Sequence, residues 1–235
     1  MANRQIAEWL SSLVAQRQRV VSEYQAKEIL RAWGLPVPVC LMAESPGQAV
    51  EHAEKLGYPS VLKVHSPVIV HKSDAGGVKL NLTDGDAVEK AYREIEQTCA
   101  PLDPHFKVLV QPMAKPGLEV ILGVSEDAQF GKAVMFGVGG IFVELFRDVA
   151  FRLIPLDRGQ ALEMISSIEA FPLLKGFRGR PPAETESLAD LVVSLSELVT
   201  QHPAISELDL NPIIAYPQGA AIVDARMVLA PSSQP

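Results

Sequence analysis

The pattern of strand-like and helix-like segments changes near the middle of this 235-residue chain, and this change constrains the fold most. Up to about residue 105, helical patterns at roughly 1–16, 22–34 and 45–57 are followed by two short strand candidates, SVLKV and GGVKLNL. Thr83 then caps another amphipathic helix. Such alternation of strands and helices predicts an α/β lobe.

Beyond residue 105, four strand candidates follow without a helix between them: KVLVQPM, LEVILGVS, AVMFGV and VAFRLIP. The short turns between them predict a mainly antiparallel sheet. Two helices come next, and a hairpin around 217–219 closes the chain. We therefore predict an N-terminal helix at 1–20, lobes at 21–105 and 106–230, and a disordered tail at 231–235.

Composition and charge argue against several classes of function. The formal net charge is −7 and no basic tract occurs, which argues against nucleic acid and against an anionic membrane surface as partners. The longest apolar stretch, AVMFGVGGIFV, is too short to span a membrane, and the N-terminus lacks the apolar core of a signal peptide. The spacing of Cys40 and Cys99 indicates two reduced thiols, so a cytoplasmic protein is expected.

Several catalytic motifs are missing from the sequence. It contains no G-x-x-x-x-G-K-[ST] phosphate loop, and GVGG at 137–140 does not continue as G-x-G-x-x-G. Neither G-x-S-x-G nor H-E-x-x-H nor paired C-x-x-C occurs, so a hydrolase triad and zinc catalysis have no support. The glycines of GVGG favour a packing or turn role over close approach to a ligand.

The C-terminal hairpin carries the best candidate for a metal site. Asp209 and Asn211 are two residues apart in one strand, as are Asp224 and Arg226 in the return strand, so each pair shares a face. Asn211 and Asp224 are equidistant from the turn and should lie roughly opposite each other, unless a bulge at Gly219 shifts the register. Carboxylate and amide oxygens suit Mg²⁺. A solvated polar face is the alternative interpretation.

Other candidates are weak when taken singly. Lys63 lies inside the apolar strand SVLKV, where it could contact a ligand or be a charge on an edge strand. His71 lies between an apolar run and Gly76-Gly77, in VIVHKSDAGGVKL. That histidine could be structural, or it could stand beside a loop that approaches a phosphate.

Taken in order, however, the segments resemble the ATP-grasp domain of the NDP-forming acyl-CoA synthetases, close to the β subunit of ADP-forming acetyl-CoA synthetase. Succinyl-CoA synthetase β is a more distant relative. The resemblance spans roughly residues 20–228 and is carried by the following stretches: SEYQAKEILRAWGLPVP, YPSVLKVHSPVIVHKSDAGGVKLNL, VLVQPMAKPGLEVILGV, FGVGGIFVELFRDVAFRLIPL, LLKGFRGRPP and ELDLNPI with VDAR.

The resemblance implies an ATP-grasp fold, mixed α/β (α+β), whose two lobes clasp ATP or ADP. It implies that Lys63 contacts the phosphates, that the backbone from Gln111 to Met113 bonds the adenine edge, and that Glu119 holds the ribose.

It further implies that Asn211 and Asp224 bind Mg²⁺, in agreement with the hairpin argument. Gly76 and Gly77 would form a mobile loop over the phosphates.

The family reaction is acyl-CoA + ADP + phosphate ⇌ acid + CoA + ATP, through phosphohistidine intermediates. By resemblance, His71 is a second phosphoryl acceptor and Asp209 orients the incoming phosphohistidine. A CoA-binding α subunit would carry the first phosphohistidine, in an α2β2 assembly.

Two alternatives are the ATP-grasp part of a larger acyl-CoA ligase or protein acyltransferase, and a nucleotide-sensing module. Catalysis is favoured over both alternatives by the presence of Lys63, His71, Glu119, Asn211 and Asp224. The N-terminal helix could pack on the domain or face a partner.

Overall fold

The computed structural model describes residues 2–69, 72–140, 148–179 and 181–231. The helices are α1 (Ala2–Ala15), α2 (Glu23–Trp33), α3 (Pro46–Leu56), α4 (Gly85–Cys99), α5 (Arg158–Ser166), α6 (Phe171–Leu174) and α7 (Thr185–Gln201). The strands are β1 (Val20–Val21), β2 (Leu41–Ala43), β3 (Ser60–His65), β4 (Val78–Leu82), β5 (Lys107–Pro112), β6 (Leu118–Asp127), β7 (Gly131–Val138), β8 (Val149–Leu153), β9 (Ile205–Ala215), β10 (Ala220–Ile222) and β11 (Arg226–Leu229). They form two compact units, Pro38–Ala114 and Met1–Val37 with Lys115–Pro235.

The smaller unit, Pro38–Ala114, contains a four-stranded antiparallel sheet in the order β2-β5-β3-β4. Leu62 and Val64 of β3 and Val108 and Val110 of β5 belong to one buried cluster, which also contains apolar residues of α3 and α4. Because side chains alternate along a strand, this face of the sheet is the one that the helices cover.

Local signals fix the ends of the two helices in this unit. Ser45 accepts a hydrogen bond from the Gln48 amide, and Pro46 occupies the first turn of α3. Helix α4 is capped by Asp84, whose side chain accepts from the amide of Ala87. The cap is therefore one residue later than the predicted Thr83.

The strand pattern predicted that KVLVQPM belongs to the sheet of the second half. In the structure it does not join that sheet. As β5 it pairs with β3 over six positions, from Ser60↔Pro112 to His65↔Lys107. The observed division accordingly falls at 37/38 and 114/115, whereas the predicted lobes met at 105/106 and began at 21. The partner of a strand depends on burial and pairing between residues far apart in the chain. The order of strands and turns along the sequence does not contain this information.

The larger unit contains a seven-stranded sheet in the order β1-β11-β9-β6-β7-β8, with β10 paired to β9. Its core unites one face of this sheet with the helices on it, including Leu30 of α2, Met164 of α5 and Leu195 of α7. The sequence correctly predicted that LEVILGVS, AVMFGV and VAFRLIP lie side by side and antiparallel.

The N-terminal helix packs on its own unit. Ile6, Leu10 and Leu13 lie in the core of the larger unit and are at most 6% exposed. Helix α2 begins with a capping box of Ser22 and Gln25 and ends at Gly34, whose φ is +98°. The apolar stripe of α1 therefore packs on the domain, which is one of the two positions that the sequence allowed. No helix within the described ranges is long and apolar enough to cross a membrane.

Candidate functional site

One face of the larger sheet carries the core, and the opposite face carries the polar candidates. Leu208 and Leu210 of β9 belong to the core, so alternation along the strand turns Asp209 and Asn211 to the other face, where both are exposed. We call this the open face of the larger sheet. It is the face on which a ligand could reach the strand residues.

Asn211 and Asp224 lie opposite each other on this face. The pairs Ile213↔Ile222 and Asp209↔Arg226 share one unshifted register, and Asn211 and Asp224 fall midway between them. The amide of Val223 also donates to the carbonyl of Pro212 at 3.0 Å, which keeps the two chains aligned between β10 and β11. The predicted juxtaposition is therefore confirmed, without the register shift that a bulge at Gly219 would cause.

The donors on the two chains are an amide and a carboxylate. Among the described residues, no group of three or more His, Cys, Asp or Glu side chains could hold a metal ion. A cation at Asn211 and Asp224 would thus take few oxygens from the protein. Mg²⁺ matches this requirement, since it usually keeps several waters and binds one or two carboxylates together with substrate phosphates.

Asp209 of β9 lies opposite Arg226 of β11 in the antiparallel pairing of these strands. Desolvation by the surrounding protein raises the pKa of Asp209; the charge of Arg226 lowers it, and that of Asp224 raises it again. The balance is a carboxylate that binds a proton more readily than an ordinary aspartate does. Such a group can accept a proton from an approaching imidazole or share one with it.

Glu119, the second residue of β6, faces the same way. Its neighbour Val120 belongs to the core, so Glu119 is on the open face and is exposed. Gly139 donates its amide to the Glu119 carbonyl at 2.8 Å, and a Cβ on Gly139 would lie 3.1 Å from the Cβ of Glu119. Gly140 has a φ of +65°. Gly139 therefore packs against Glu119 and Gly140 adopts a left-handed turn conformation, in agreement with the packing or turn role expected for GVGG.

In the smaller unit, Lys63 is on a central strand. Its strand, β3, lies between β5 and β4, and Lys63 pairs with Leu109 and Val78. The side chain is only 5% exposed. The edge-strand interpretation of Lys63 is therefore wrong. A buried lysine requires anionic or hydrogen-bonding partners, since an isolated buried charge is strongly disfavoured.

Gln111 is on the same face of this sheet as Lys63. It pairs with Val61, which precedes Lys63 by two positions, and it is 2% exposed. This face is opposite to the one covered by α3 and α4. Lys63 and Gln111 are thus brought together by the β3–β5 pairing, although they are far apart in sequence.

The backbone beyond Gln111 is already partly used by the protein. Pro112 has no amide hydrogen, and the amide of Met113 donates to the carbonyl of Pro59 at 2.8 Å. Of the Met113 main chain, this arrangement leaves the carbonyl rather than the N–H for an adenine edge. A carbonyl accepts from the exocyclic amino group of adenine.

Gly76 and Gly77 close a tight turn. The amide of Gly77 donates to the Lys72 carbonyl at 2.8 Å and that of Gly76 to the Ser73 carbonyl at 3.0 Å, the hydrogen-bond pattern that ends many helices. Gly76 has a φ of +68°, and a Cβ on Gly77 would lie 2.4 Å from Cγ1 of Val64. The local backbone structure therefore explains why glycine occurs at both positions.

His71 lies outside the described residues.

The segment that follows β3 is fixed by two residues that the sequence pattern did not single out. The Ser66 hydroxyl donates to Asp103 at 2.6 Å and accepts from the amides of Val68 and Ile69. The same carboxylate accepts from the amide of His105, and these hydrogen bonds lower the pKa of Asp103. Ser66 and Asp103 are 37 positions apart, so no local motif could reveal their contact.

Two units of this construction, one with a central buried lysine and one with an exposed acidic and amide hairpin, match a known class of protein. The family model described as "ATP-grasp domain" matches residues 12–229. The chain therefore belongs to the ATP-grasp family, within the branch formed by the β subunits of ADP-forming acetate–CoA ligases.

That branch is defined by close relatives. The β subunit of acetate–CoA ligase [ADP-forming] II from Pyrococcus furiosus is 45% identical over 226 residues, which cover 94% of this chain and 96% of the relative. The dinucleotide-forming acetyl-coenzyme A synthetase 1 of Ca. Korarchaeum cryptofilum, in complex with coenzyme A, Ca-AMPCP and HgCl+, is 43% identical. It has a TM-score of 0.91 and covers 95% of this chain and 99% of its own.

A further structure of the Korarchaeum enzyme contains coenzyme A and Mg-AMPPCP, with its phosphohistidine segment pointing towards the nucleotide-binding site. It is 42% identical, has a TM-score of 0.86, and covers 96% of this chain and all of its own (100%). These matches confirm the ATP-grasp fold and the family that the sequence resemblance indicated.

Proposed function

We propose that this chain is the nucleotide-binding β subunit of an ADP-forming acyl-CoA synthetase of the acetate type. One observation carries the proposal: Asn211 and Asp224 lie opposite each other on the open face that also bears Glu119 and Asp209. This arrangement provides a site for a cation and the polar groups of a nucleotide within one unit of an ATP-grasp protein.

The assignments to the nucleotide follow from the family and from the local geometry. Lys63 would neutralise phosphate charge, and Gln111 with the Met113 carbonyl would hold the adenine. Glu119 would accept hydrogen bonds from the ribose hydroxyls. Gly76 and Gly77 would bring backbone close to the phosphates, in addition to their local structural role.

Asn211 and Asp224 would hold Mg²⁺ through their side-chain oxygens. When bound, the ion neutralises charge on the phosphate oxygens.

Phosphoryl transfer would use His71 and Asp209. In the forward direction, acyl-CoA and phosphate give acyl phosphate and CoA, the phosphoryl group passes to histidine as the acid leaves, and ADP then takes it from histidine. Asp209, with its raised pKa, would hold the imidazole N–H that is not phosphorylated. The Mg-AMPPCP complex of the Korarchaeum enzyme, with its phosphohistidine segment directed to the nucleotide site, supports this route.

The rest of the reaction would belong to a second polypeptide. The relatives named as β subunits support a CoA-binding α partner that carries the first phosphohistidine. We infer an α2β2 assembly in the cytoplasm, where the buried Cys40 and Cys99 would remain reduced.

Calorimetry on the chain tests the proposal. ADP should bind at millimolar Mg²⁺, and Asp224→Ala should weaken that binding about tenfold or more, equivalent to about 1.4 kcal/mol, because the cation loses its anionic ligand. Asn211→Ala should weaken it less, since a neutral ligand is lost. Glu207→Ala, which removes an exposed charge from the same strand, is the control and should change little.

Absence of ADP binding by the wild-type chain at millimolar Mg²⁺ would overturn the proposed function. A nucleotide-sensing module would bind ADP but form no phosphohistidine. Co-purification with a CoA-binding polypeptide distinguishes a separate β subunit from the ATP-grasp part of a longer ligase.

A further inference from the structure

The turn of the hairpin that bears Asn211 and Asp224 is held from outside by the N-terminal end of α7. The Glu184 side chain accepts a hydrogen bond from the Gly219 amide at 2.8 Å. The Glu184 amide donates to the Tyr216 carbonyl at 2.9 Å. One residue therefore binds both ends of the four-residue connection from Tyr216 to Gly219.

The Glu184 carboxylate is itself held in place. The hydroxyl of Ser187 donates a short hydrogen bond to the same Oε2 that receives the Gly219 amide. These two hydrogen bonds, first that of Ser187 and then that of Gly219, lower the pKa of Glu184, so the acceptor stays ionised at neutral pH. An ionised acceptor makes a stronger hydrogen bond to an amide than a neutral one.

Two other contacts secure the same hairpin. The Tyr216 hydroxyl donates to the Lys115 carbonyl at 3.1 Å, and the Ile222 amide donates to the Pro36 carbonyl at 2.9 Å. A Cβ on Gly117 would lie 2.5 Å from Cγ2 of Ile214, so residue 117 packs directly against β9. The hairpin is therefore fixed along both of its chains as well as at its turn.

The register of the hairpin decides whether Asn211 meets Asp224. Asp224 lies between β10 and β11, where the hydrogen bond from the Val223 amide to the Pro212 carbonyl continues the register that starts at the turn. A slip of one residue would replace Asp224 by Ala225, which belongs to the core, because the side-chain period of a strand is two. Turn length and geometry set such a register.

We propose that Glu184 is a positioning residue for the cation pair: by binding both ends of the 216–219 turn, it fixes the register that places Asp224 opposite Asn211. This inference rests on the proposed function, since it assumes that the pair holds Mg²⁺ with a nucleotide. Glu184 does not itself contact the pair; it acts through the hairpin.

The test is calorimetry of ADP binding to the chain with and without Mg²⁺. Glu184→Ala should weaken binding about fivefold in the presence of Mg²⁺ and leave metal-free binding within about twofold, because only the cation ligands lose their alignment. Glu184→Gln, which retains an acceptor of the same length, should recover part of the loss. Glu186→Ala removes a neighbouring carboxylate that pairs with Arg158, and it should change neither affinity.

Equal behaviour of Glu184→Ala and Glu186→Ala would overturn the inference, and so would an equal loss with and without Mg²⁺. If Glu184→Ala does not fold, Ser187→Ala loosens the same carboxylate and should show a smaller Mg²⁺-dependent loss. A wild-type chain whose ADP binding ignores Mg²⁺ overturns the proposed cation site together with this inference. A wild-type chain that needs Mg²⁺ isolates the role of Glu184.

Discussion

At the scale of a residue, Asp209 illustrates how a position proposed to act in phosphoryl transfer can oppose stability. Its pKa is raised, chiefly by desolvation, so ionisation is less favourable in the folded chain than in the unfolded one. The resulting penalty is absent below the pKa of an unfolded aspartate, about 3.9, and is fully present above the folded pKa.

Replacing Asp209 with Asn should therefore stabilise the chain at neutral pH. Because the side chain is exposed, we expect a gain of at most about 0.5 kcal/mol in the free energy of unfolding at pH 7. The gain should disappear towards pH 4. Urea unfolding of both proteins between pH 4 and 7 measures this. A loss of stability at pH 7 would mean that attraction to Arg226 outweighs desolvation.

His71 carries the chemical prediction at this scale. His71→Ala should leave ADP affinity within about twofold and abolish turnover by the assembled enzyme, because no other group of this chain would carry the phosphoryl in transit. Labelling with γ-³²P-ATP should give an acid-labile, base-stable adduct on the wild-type chain that the variant lacks. His105→Ala is the matched control, since His105 contacts Asp103 through its backbone amide, which the substitution retains. Near-normal turnover by His71→Ala would make His71 structural.

At the scale of an element, the turn 72–77 depends on a glycine that touches β3. Gly77→Ala should lower the free energy of unfolding by about 1–3 kcal/mol, because its Cβ would overlap Val64 and approach the Lys72 carbonyl. Gly47→Ala, with no atom within 4 Å of the added Cβ, should cost nothing or stabilise α3. Chemical denaturation gives both values.

A double-mutant cycle then separates overlap from other effects. Val64→Ala makes room for the new methyl group, so Gly77→Ala should cost less in that background than in the wild type. An equal cost in both backgrounds would show that Val64 is not the obstacle.

At the scale of the whole molecule, the chain should be catalytically incomplete. The pure chain should bind ADP but form no acyl-CoA, because the acyl and CoA sites are proposed to lie on the α partner. An assay of CoA- and ATP-dependent ADP release, with and without that partner, measures this directly. Turnover by the chain with no second polypeptide present would contradict the proposed division of labour.

The sequence by itself determined the elements and the hairpin. Capping at Ser22 and Ser45, the αL glycine at position 34 and the alternation around Asp209 are local properties, written in residues close together in the chain. The opposition of Asn211 and Asp224 followed from their equal distance from the turn, because an antiparallel pairing preserves that symmetry.

Only the tertiary structure decided that KVLVQPM belongs to the sheet of the smaller unit. In the structure β5 pairs with β3, Lys63 lies on a central strand, and residues 1–37 belong to one unit with the second half of the chain. It also showed that the Met113 amide is engaged by Pro59 and that Glu184 holds the hairpin turn. These facts depend on contacts between distant residues, and such contacts are chosen by the joint burial of many side chains, which no local pattern encodes.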